Sequence, residues 1–489
     1  MSKRKRKDLD LLQAKGIGKP LKKILQWRGF HFTILLLNLF VFVIVLTAGF
    51  IGNPTGNKNF SIAVVWILWF AAVEFMILFG GRTWCTLCPL PAFGEWTARR
   101  RLVGVHKPKR WLSKNKKWPK KLNNMWFSAL GFLGISLVLP WLVTRPIVTG
   151  ILFLLMIVFG FVFALIYSGR FFCHSVCPAS SYIGYHSNAS LFGVRCRDKS
   201  VCDKHIAKEC IRGGPKGYGC PWKLYPGGHK DNTYCGQCYE CLKSCPLDNM
   251  TIKLRTPRTI MKDLVNVAVK AKDKYDEAWM GFIRFSLAIF YELVFFGPYW
   301  FLKDWGNMGV NFGANLPTIG LLTPTLGGFH NWLMWVMIVA GVALIAYPAA
   351  FYGFSWLAKK AAKDETKSTK QVFLSFSYAL VPYGLFLWLA FAITIVLVNW
   401  AYPLTAFSDP LGWGWDILGM KFAWMPIVPD LIPYFQAPLF LIGLTLAIVV
   451  TYNIALKLFE SHKKAVRATT VMSVLHVTTA LIFVWIIMG

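Results

Sequence analysis

Long apolar runs dominate the chain and alternate with polar stretches of very unequal charge. About nine of these runs are long enough to span ~30 Å of hydrocarbon as helices: Phe30–Ile51, Ile62–Gly80, Met125–Val143, Ile147–Tyr167, Met280–Trp300, Trp332–Trp356, Val372–Trp400, Tyr434–Leu456 and Thr469–Met488. None shows the strict alternation of a half-buried strand. The first run is too long for a cleaved signal segment and no small-residue cleavage site follows it, so it is expected to remain as a span. Between the fourth and fifth runs lies a longer polar stretch, 190–255, rich in cysteine, glycine and charge. The pattern therefore predicts an α-helical polytopic membrane protein with a small α+β domain inserted between two helical units. The expected segments are a basic tail (1–28), a four-helix unit (29–189), the insert (190–255), an amphipathic interfacial linker (256–279) and a five-helix unit (280–489).

Charge refines the topology. The chain carries a formal net charge of +32, which on a soluble protein would suggest nucleic acid. Here the basic residues collect in Lys3–Lys7, Arg99–Lys121, the cysteine-rich insert, Lys359–Lys370 and Lys457–Arg467. The connections Gly52–Ser61, Thr144–Pro146, Phe301–Asn331 and Ala401–Pro433 carry few. Every second connection is thus basic, as the positive-inside rule requires. No nucleic-acid partner is implied. The N-terminus and all cysteine-rich segments are expected on the cytoplasmic side of an inner membrane, with the C-terminus outside.

Cysteine spacing carries the chemistry. Cys235, Cys238, Cys241 and Cys245, followed by Pro246, read C-x2-C-x2-C-x3-C-P, the ligand run of a bacterial-type ferredoxin. A zinc ribbon pairs two knuckles across a longer gap and fits less well. In two-cluster ferredoxins the fourth cysteine serves the other cluster. Four more cysteines precede the run, so one 4Fe–4S site is expected at Cys220, Cys235, Cys238 and Cys241. The second is expected at Cys196, Cys202, Cys210 and Cys245. His205 either replaces one of these thiolates or hydrogen-bonds beside them. Free thiolates also agree with a reducing compartment.

The remaining four cysteines are duplicated. Helix two runs out through Gly81-Arg82 to Cys85-Thr86-Leu87-Cys88-Pro89, and helix four through Gly169-Arg170 to Cys173-His174-Ser175-Val176-Cys177-Pro178. Each block ends a two-helix hairpin. A parallel pseudo-repeat would gather Cys85, Cys88, Cys173 and Cys177 into a third iron–sulfur or copper centre, or a redox dithiol pair. Arg82 and Arg170 would stabilise thiolate charge there or simply anchor the helices. The alternative is that the prolines and glycines terminate helices and the thiols are incidental.

These paired C-x2-C-P and C-x3-C-P motifs, followed by a two-cluster module, resemble the NapH and NosR type of membrane-bound ferredoxin. The resemblance covers roughly Arg28–Leu254. It implies electron exchange with quinol, or across the membrane, for partner reductases. The related CcoG type implies copper reduction. Three features depart from that pattern: no NosR-type flavin domain precedes the first helix, Cys196–Cys220 is loosely spaced, and five further helices follow.

Ionisable residues inside spans are costly and stand out. Glu74 lies eleven residues before Cys85, ~16 Å along a helix, and is the candidate catalytic acceptor for a proton released on quinol oxidation. The alternative is a glutamate satisfied by a neighbouring helix. Arg284 and Glu292 are ~12 Å apart by helical rise, so each should meet another helix, with a proton path as the functional option. His476 is the one histidine well inside a span, which argues against haem. The tryptophans of Ala401–Pro433 read as interfacial anchors. The leading expectation is an iron–sulfur electron-transfer protein working between membrane quinone and a redox partner protein. A cupric reductase and a redox-controlled transporter are the alternatives.

Overall fold

The computed structural model describes residues 8–105, 112–229, 231–295, 327–427 and 429–488. The basic cluster Lys3–Lys7, part of Arg99–Lys121 and most of the predicted connection Phe301–Asn331 lie outside them. Among the described residues, eight helices are long and apolar enough to cross a membrane: Arg28–Ile51, Phe60–Gly80, Pro146–Ile166, Tyr275–Phe295, Asn331–Ala362, Thr369–Asn399, Pro429–Phe459 and His462–Trp485.

The predicted third run, Met125–Val143, is not one long helix. It forms Trp126–Leu137, breaks at Val138, and resumes as Leu139–Thr144. Pro140 is the cause, because its ring occupies the second position of the new helix and it has no N–H for the preceding turn. The fifth span starts earlier than expected, at Tyr275, with Asp276 and Glu277 in its first turn. The predicted interfacial linker is accordingly shorter, a helix over Pro257–Val269.

The chain clusters into two compact units whose boundary cuts across three of the spans. The first is formed by the described residues of Met1–Ile44, Phe75–Ser128 and Leu152–Leu264. The second is formed by those of Val45–Glu74, Ala129–Ile151 and Val265–Gly489. Long helices make this division natural, since the two ends of one helix pack on different partners.

Inside the first unit lies a three-stranded antiparallel sheet, β1 (Leu9–Asp10), β2 (Phe192–Cys196) and β3 (Met250–Leu254), in the order β1-β3-β2. β2 and β3 bracket the cysteine-rich insert, pairing Cys196 with Met250 and Val194 with Ile252. β1 belongs to the segment expected to be a separate tail. Residues 8–28 instead fold onto the insert: Leu12 and Leu25 join Val194, Leu242, Met250 and Ile252 in one core. Asp10 bonds Thr251 and pairs with Arg197 at 3.1 Å. Arg28 makes a two-pronged bond to Glu240, at 3.0 Å on each oxygen. The tail is basic in composition but contributes a strand and apolar side chains to a small domain that needs them.

The second unit is a helical bundle with polar groups in its interior. One close interhelical approach is marked by Gly49, where an added Cβ would meet Gly150 Cα at 3.1 Å. Residues Ala63–Trp69 of the helix Phe60–Gly80 wind as a π-helix, a local widening frequently found near functional positions.

Candidate iron–sulfur sites

The two halves of the duplicated motif are built alike despite differing by one residue. Each enters through a glycine in the left-handed region, Gly81 at φ 56° and Gly169 at φ 98°, which a side chain would strain. Gly169 is also packed tightly, since a Cβ there would meet Pro221 O at 2.6 Å. In the first half Thr83–Leu87 is α-helical and Cys88 N–H bonds Trp84 O at 2.9 Å. In the second half Phe172–Val176 is a π turn, and Cys177 N–H reaches Phe172 O at 2.8 Å. The additional residue between Cys173 and Cys177 is absorbed by that wider turn. Both second cysteines then leave with the same extended backbone, Cys88 at φ −68°, ψ 129° and Cys177 at φ −57°, ψ 123°. A proline follows each; Pro178 opens the next helix, where its missing N–H costs nothing.

The halves are braced against each other by a reciprocal exchange. Arg82 of the first donates to Cys173 O of the second at 2.9 Å, and Arg170 of the second donates to Cys85 O of the first at 3.1 Å. Arg82 is fully buried and also donates to Ser180 Oγ at 2.6 Å and Thr233 O at 2.9 Å. Arg170 is held by both oxygens of Glu95, at 2.5 and 3.1 Å. Ser128 Oγ donates to Cys177 O at 2.5 Å and accepts from Ser181 N–H at 2.9 Å.

The two halves bring the four cysteines near enough to influence one another electrostatically. Cys85, Cys173 and Cys177 are buried. The other three thiols oppose the ionisation of Cys173, while Cys177 and Cys85 oppose that of Cys88 and Cys85 opposes that of Cys177. Burial first, and then these neighbours, push Cys177 up to about 12 and raise Cys88 and Cys173 as well. Such thiols stay protonated until a cationic centre draws them off as thiolates. Four soft sulfur donors in a dry enclosure suit iron–sulfur or copper chemistry. Burial also works against the charge of Glu95, but Arg170 and Arg99 more than offset it and hold that carboxyl at about 2.

The compact run divides its cysteines between two pockets. Cys220, Cys235, Cys238 and Cys241 line one, with Val194 and Trp222 among its walls. Cys202, Cys210 and Cys245 line the other, with Tyr225 and Met250. Cys196 stands beside Cys202, close enough that the two thiols share a hydrogen bond. Gln237 and Tyr239 take left-handed backbone, at φ 50° and 57°, to turn the run around the first pocket. The short helix Glu240–Ser244 then carries Cys245 to the second. Asn249 joins that side, its N–H on Cys245 Sγ at 3.4 Å and its amide on Cys202 Sγ at 3.2 Å. Burial raises Cys235 and Cys210 to about 11 and Cys238 to about 12. His205 Nε2 stands 3.0 Å from Glu209 Oε2 on the rim. Among the described residues, no group of three or more His, Cys, Asp or Glu side chains is drawn together as for a single metal ion.

The three sets of thiols are tied together within the first unit. Thr86 Oγ1 donates to Gly236 O at 2.5 Å, linking the first repeat to the compact run. Arg170 N–H bonds Pro221 O at 2.9 Å, and the guanidinium of Arg170 feels both Cys173 and Cys238. Arg82 lies 4.5 Å over the Trp222 ring, and His174 stacks on Tyr234 at 4.8 Å. Cys241 and Cys210 connect the two pockets electrostatically. Glu95, Thr86, Trp222 and Asn249 were not among the sequence candidates. A glutamate seven residues beyond Cys88 has no motif to mark it, because its partner comes from the other repeat.

Elsewhere, Glu74 is not a free carboxylate. Both its oxygens accept from Arg284 Nη2, at 2.8 and 3.0 Å, with both side chains fully buried. Arg284 and Glu292 each meet another helix, Glu292 by accepting from Gln436 Nε2. His476 Nε2 lies 3.4 Å from Thr451 Oγ1. In the segment Ala401–Pro433, Trp413, Trp415 and Trp424 are exposed, and Trp424 Nε1 donates to Val398 O at 3.0 Å.

A family model described as a 4Fe–4S binding domain matches residues 62–119 and 149–181. Those segments contain Cys85, Cys88, Cys173 and Cys177, so the match falls on the duplicated motif rather than on the compact run. No curated protein and no solved structure matches the chain. The family match supports an iron–sulfur protein of ferredoxin type with a 4Fe–4S binding domain, and the eight apolar helices among the described residues fit a membrane protein.

Proposed function

We propose that this chain is a membrane-bound electron relay with three 4Fe–4S sites, exchanging electrons between a quinone pool and a cytoplasmic redox partner. Its sites are Cys85/Cys88/Cys173/Cys177, Cys220/Cys235/Cys238/Cys241 and Cys196/Cys202/Cys210/Cys245. When bound, such clusters supply single-electron storage and transfer. The residues supply the rest. The two arginines fix the duplicated thiols, burial keeps water away, and Thr86, Arg82 and Arg170 hold that site rigidly against the compact run.

The observation that supports this reading is the reciprocal Arg82–Cys173 and Arg170–Cys85 exchange, which ties together the two distant segments that carry the four thiols. The family match over those segments favours a cluster there over copper. The resemblance to NapH- and NosR-type proteins supports quinone as the membrane partner. A carboxylate fixed by Arg284 is poorly suited to accept a proton, so we assign Glu74 a structural charge rather than a catalytic one.

The alternating basic connections support a cytoplasmic N-terminus and nine crossings in all. Trp126–Leu137 and Leu139–Thr144 together supply 18 residues, ~27 Å of helix, which suits one kinked crossing.

The deciding experiment is anaerobic iron and sulfide analysis with EPR on the purified protein and on a variant with Cys85, Cys88, Cys173 and Cys177 changed to serine. About twelve irons falling to about eight establish the third site. About eight irons in both proteins, with copper retained only by the unmodified one, would replace the relay by a metal-reducing role.

A further inference from the structure

Three glutamates are buried in the second unit, Glu74 at 0% and Glu277 and Glu292 at 2% exposure each. Glu277 pairs with Lys274 and accepts from Tyr378, and the surroundings of the other two differ. Glu74 is matched by the guanidinium of Arg284 on both oxygens. Glu292 accepts one hydrogen bond on Oε1, from the neutral amide of Gln436, and Oε2 has no partner among the described residues.

Among the described residues, neither Gln436 nor Thr394 has a donor to spare for Oε2. Gln436 Nε2 gives its other hydrogen to Thr394 Oγ1 at 2.5 Å, and the Thr394 hydroxyl donates to Ala390 O at 3.1 Å. Arg284, the one arginine of the helix Tyr275–Phe295, is two turns away and engaged by Glu74. Among the described residues, the group that bonds Glu292 is the Gln436 amide, which is itself bonded to the Thr394 hydroxyl. Other buried titratable groups of the second unit have partners of their own: Tyr378 bonds Glu277, Tyr383 the His476 carbonyl, and His476 Thr451. Tyr291, next in the chain, is directed to Ser136.

An ionised carboxylate without a countercharge is strongly disfavoured inside a membrane span. We propose that Glu292 is a proton-exchange site of the second unit, neutral at rest, while Glu74 stays a fixed anion. The step is proton transfer alone: the carboxylate gains one proton on Oε2 or releases it, and no electron moves. Two carboxylates in one bundle thereby divide into opposite protonation states because one has a guanidinium partner and the other an amide.

Infrared spectroscopy of the full chain in lipid nanodiscs tests this. The wild type should show a protonated-carboxyl band that shifts in D2O. That band should vanish in Glu292→Gln, persist in Glu74→Gln and move in Gln436→Leu, which removes the hydrogen bond. A band that survives Glu292→Gln, disappears in Glu74→Gln or ignores Gln436→Leu would overturn the assignment. Should Glu292→Gln fail to fold, dicyclohexylcarbodiimide on the wild type decides the matter by mass spectrometry. An adduct on Glu292 and none on Glu74 supports the proposal; the reverse sinks it.

Discussion

The compact cysteine run and the duplicated motif both gather four thiols, but by different means. In the compact run Cys235, Cys238 and Cys241 lie within seven residues and wrap one pocket, needing only Cys220 from nearby in the chain. In the duplicated motif each half contributes two thiols, from segments 85 residues or more apart, and neither half makes a site alone. Local backbone shape therefore governs the first, through left-handed turns at Gln237 and Tyr239. The second depends on side chains that cross between halves, above all Arg82 and Arg170. A site assembled by turns should fail when a turn is blocked. A site assembled by crossing side chains should fail when a brace is cut, while the other site keeps its iron.

Cutting the deepest brace should have the largest effect. Arg82→Leu leaves Cys173 O, Thr233 O and Ser180 Oγ without their charged donor inside a buried site, at a cost of about 4 kcal/mol. Iron analysis of that variant should show loss of about four irons, with the EPR of the compact sites retained. Uniform loss of all iron would mean that the sites are not separable.

Gly236→Ala probes the opposite case. A Cβ there would overlap the Trp222 ring, and overpacking of this kind costs about 2 kcal/mol. Signals from the compact run should weaken first, and thermal unfolding in detergent should report the destabilisation. If the variant instead lost only the iron of the duplicated motif, the local account of the compact run would be wrong.

Glu95→Gln weakens the second brace by uncoupling Arg170, by about 2 kcal/mol near neutral pH. The pH dependence has a definite sign. Glu95 is held at about 2 in the folded chain against about 4.3 unfolded. Its stabilisation is complete above the unfolded value and disappears as pH falls through the folded one. The stability gap between wild type and variant should thus be constant from pH 7 to about 5 and narrow below about 4.

Thr86→Val should have the smallest effect, about 1 kcal/mol, because one neutral hydrogen bond to Gly236 O is lost. Thermal scans should show it as a small shift. Loss of iron from either site would reveal that this link is structural for both.

How far each region could be read in advance follows the same division. The ligand run Cys235–Cys245 is explicit in its spacing, as are most spans, because both depend on neighbours in the chain. The repeat Gly-Arg-x-x-Cys was visible as a repeat, yet whether Arg82 and Arg170 anchor helices or brace thiols was undecidable without the partner segment. The segment 8–28 looked like a tail because its lysines dominate composition; Leu12 and Leu25 become core residues only when β1 finds β3. Met125–Val143 is apolar throughout, and Pro140 alone turned one helix into two. Glu74 stood out in the sequence as the candidate proton acceptor and Glu292 as a proton-path option, and Arg284 against Gln436 is what reverses their standing.

Apolar run length, ligand spacing and the alternation of charge are properties of consecutive residues, and they were enough to establish membrane helices, iron–sulfur chemistry and an expected orientation. The grouping of distant thiols, the exchange between the two arginines and the partners of the buried carboxylates came only with the packed chain. The physical reason is that charge, hydrogen bonding and desolvation act between atoms a few ångströms apart, and here those atoms belong to residues separated by tens or hundreds of positions in the chain.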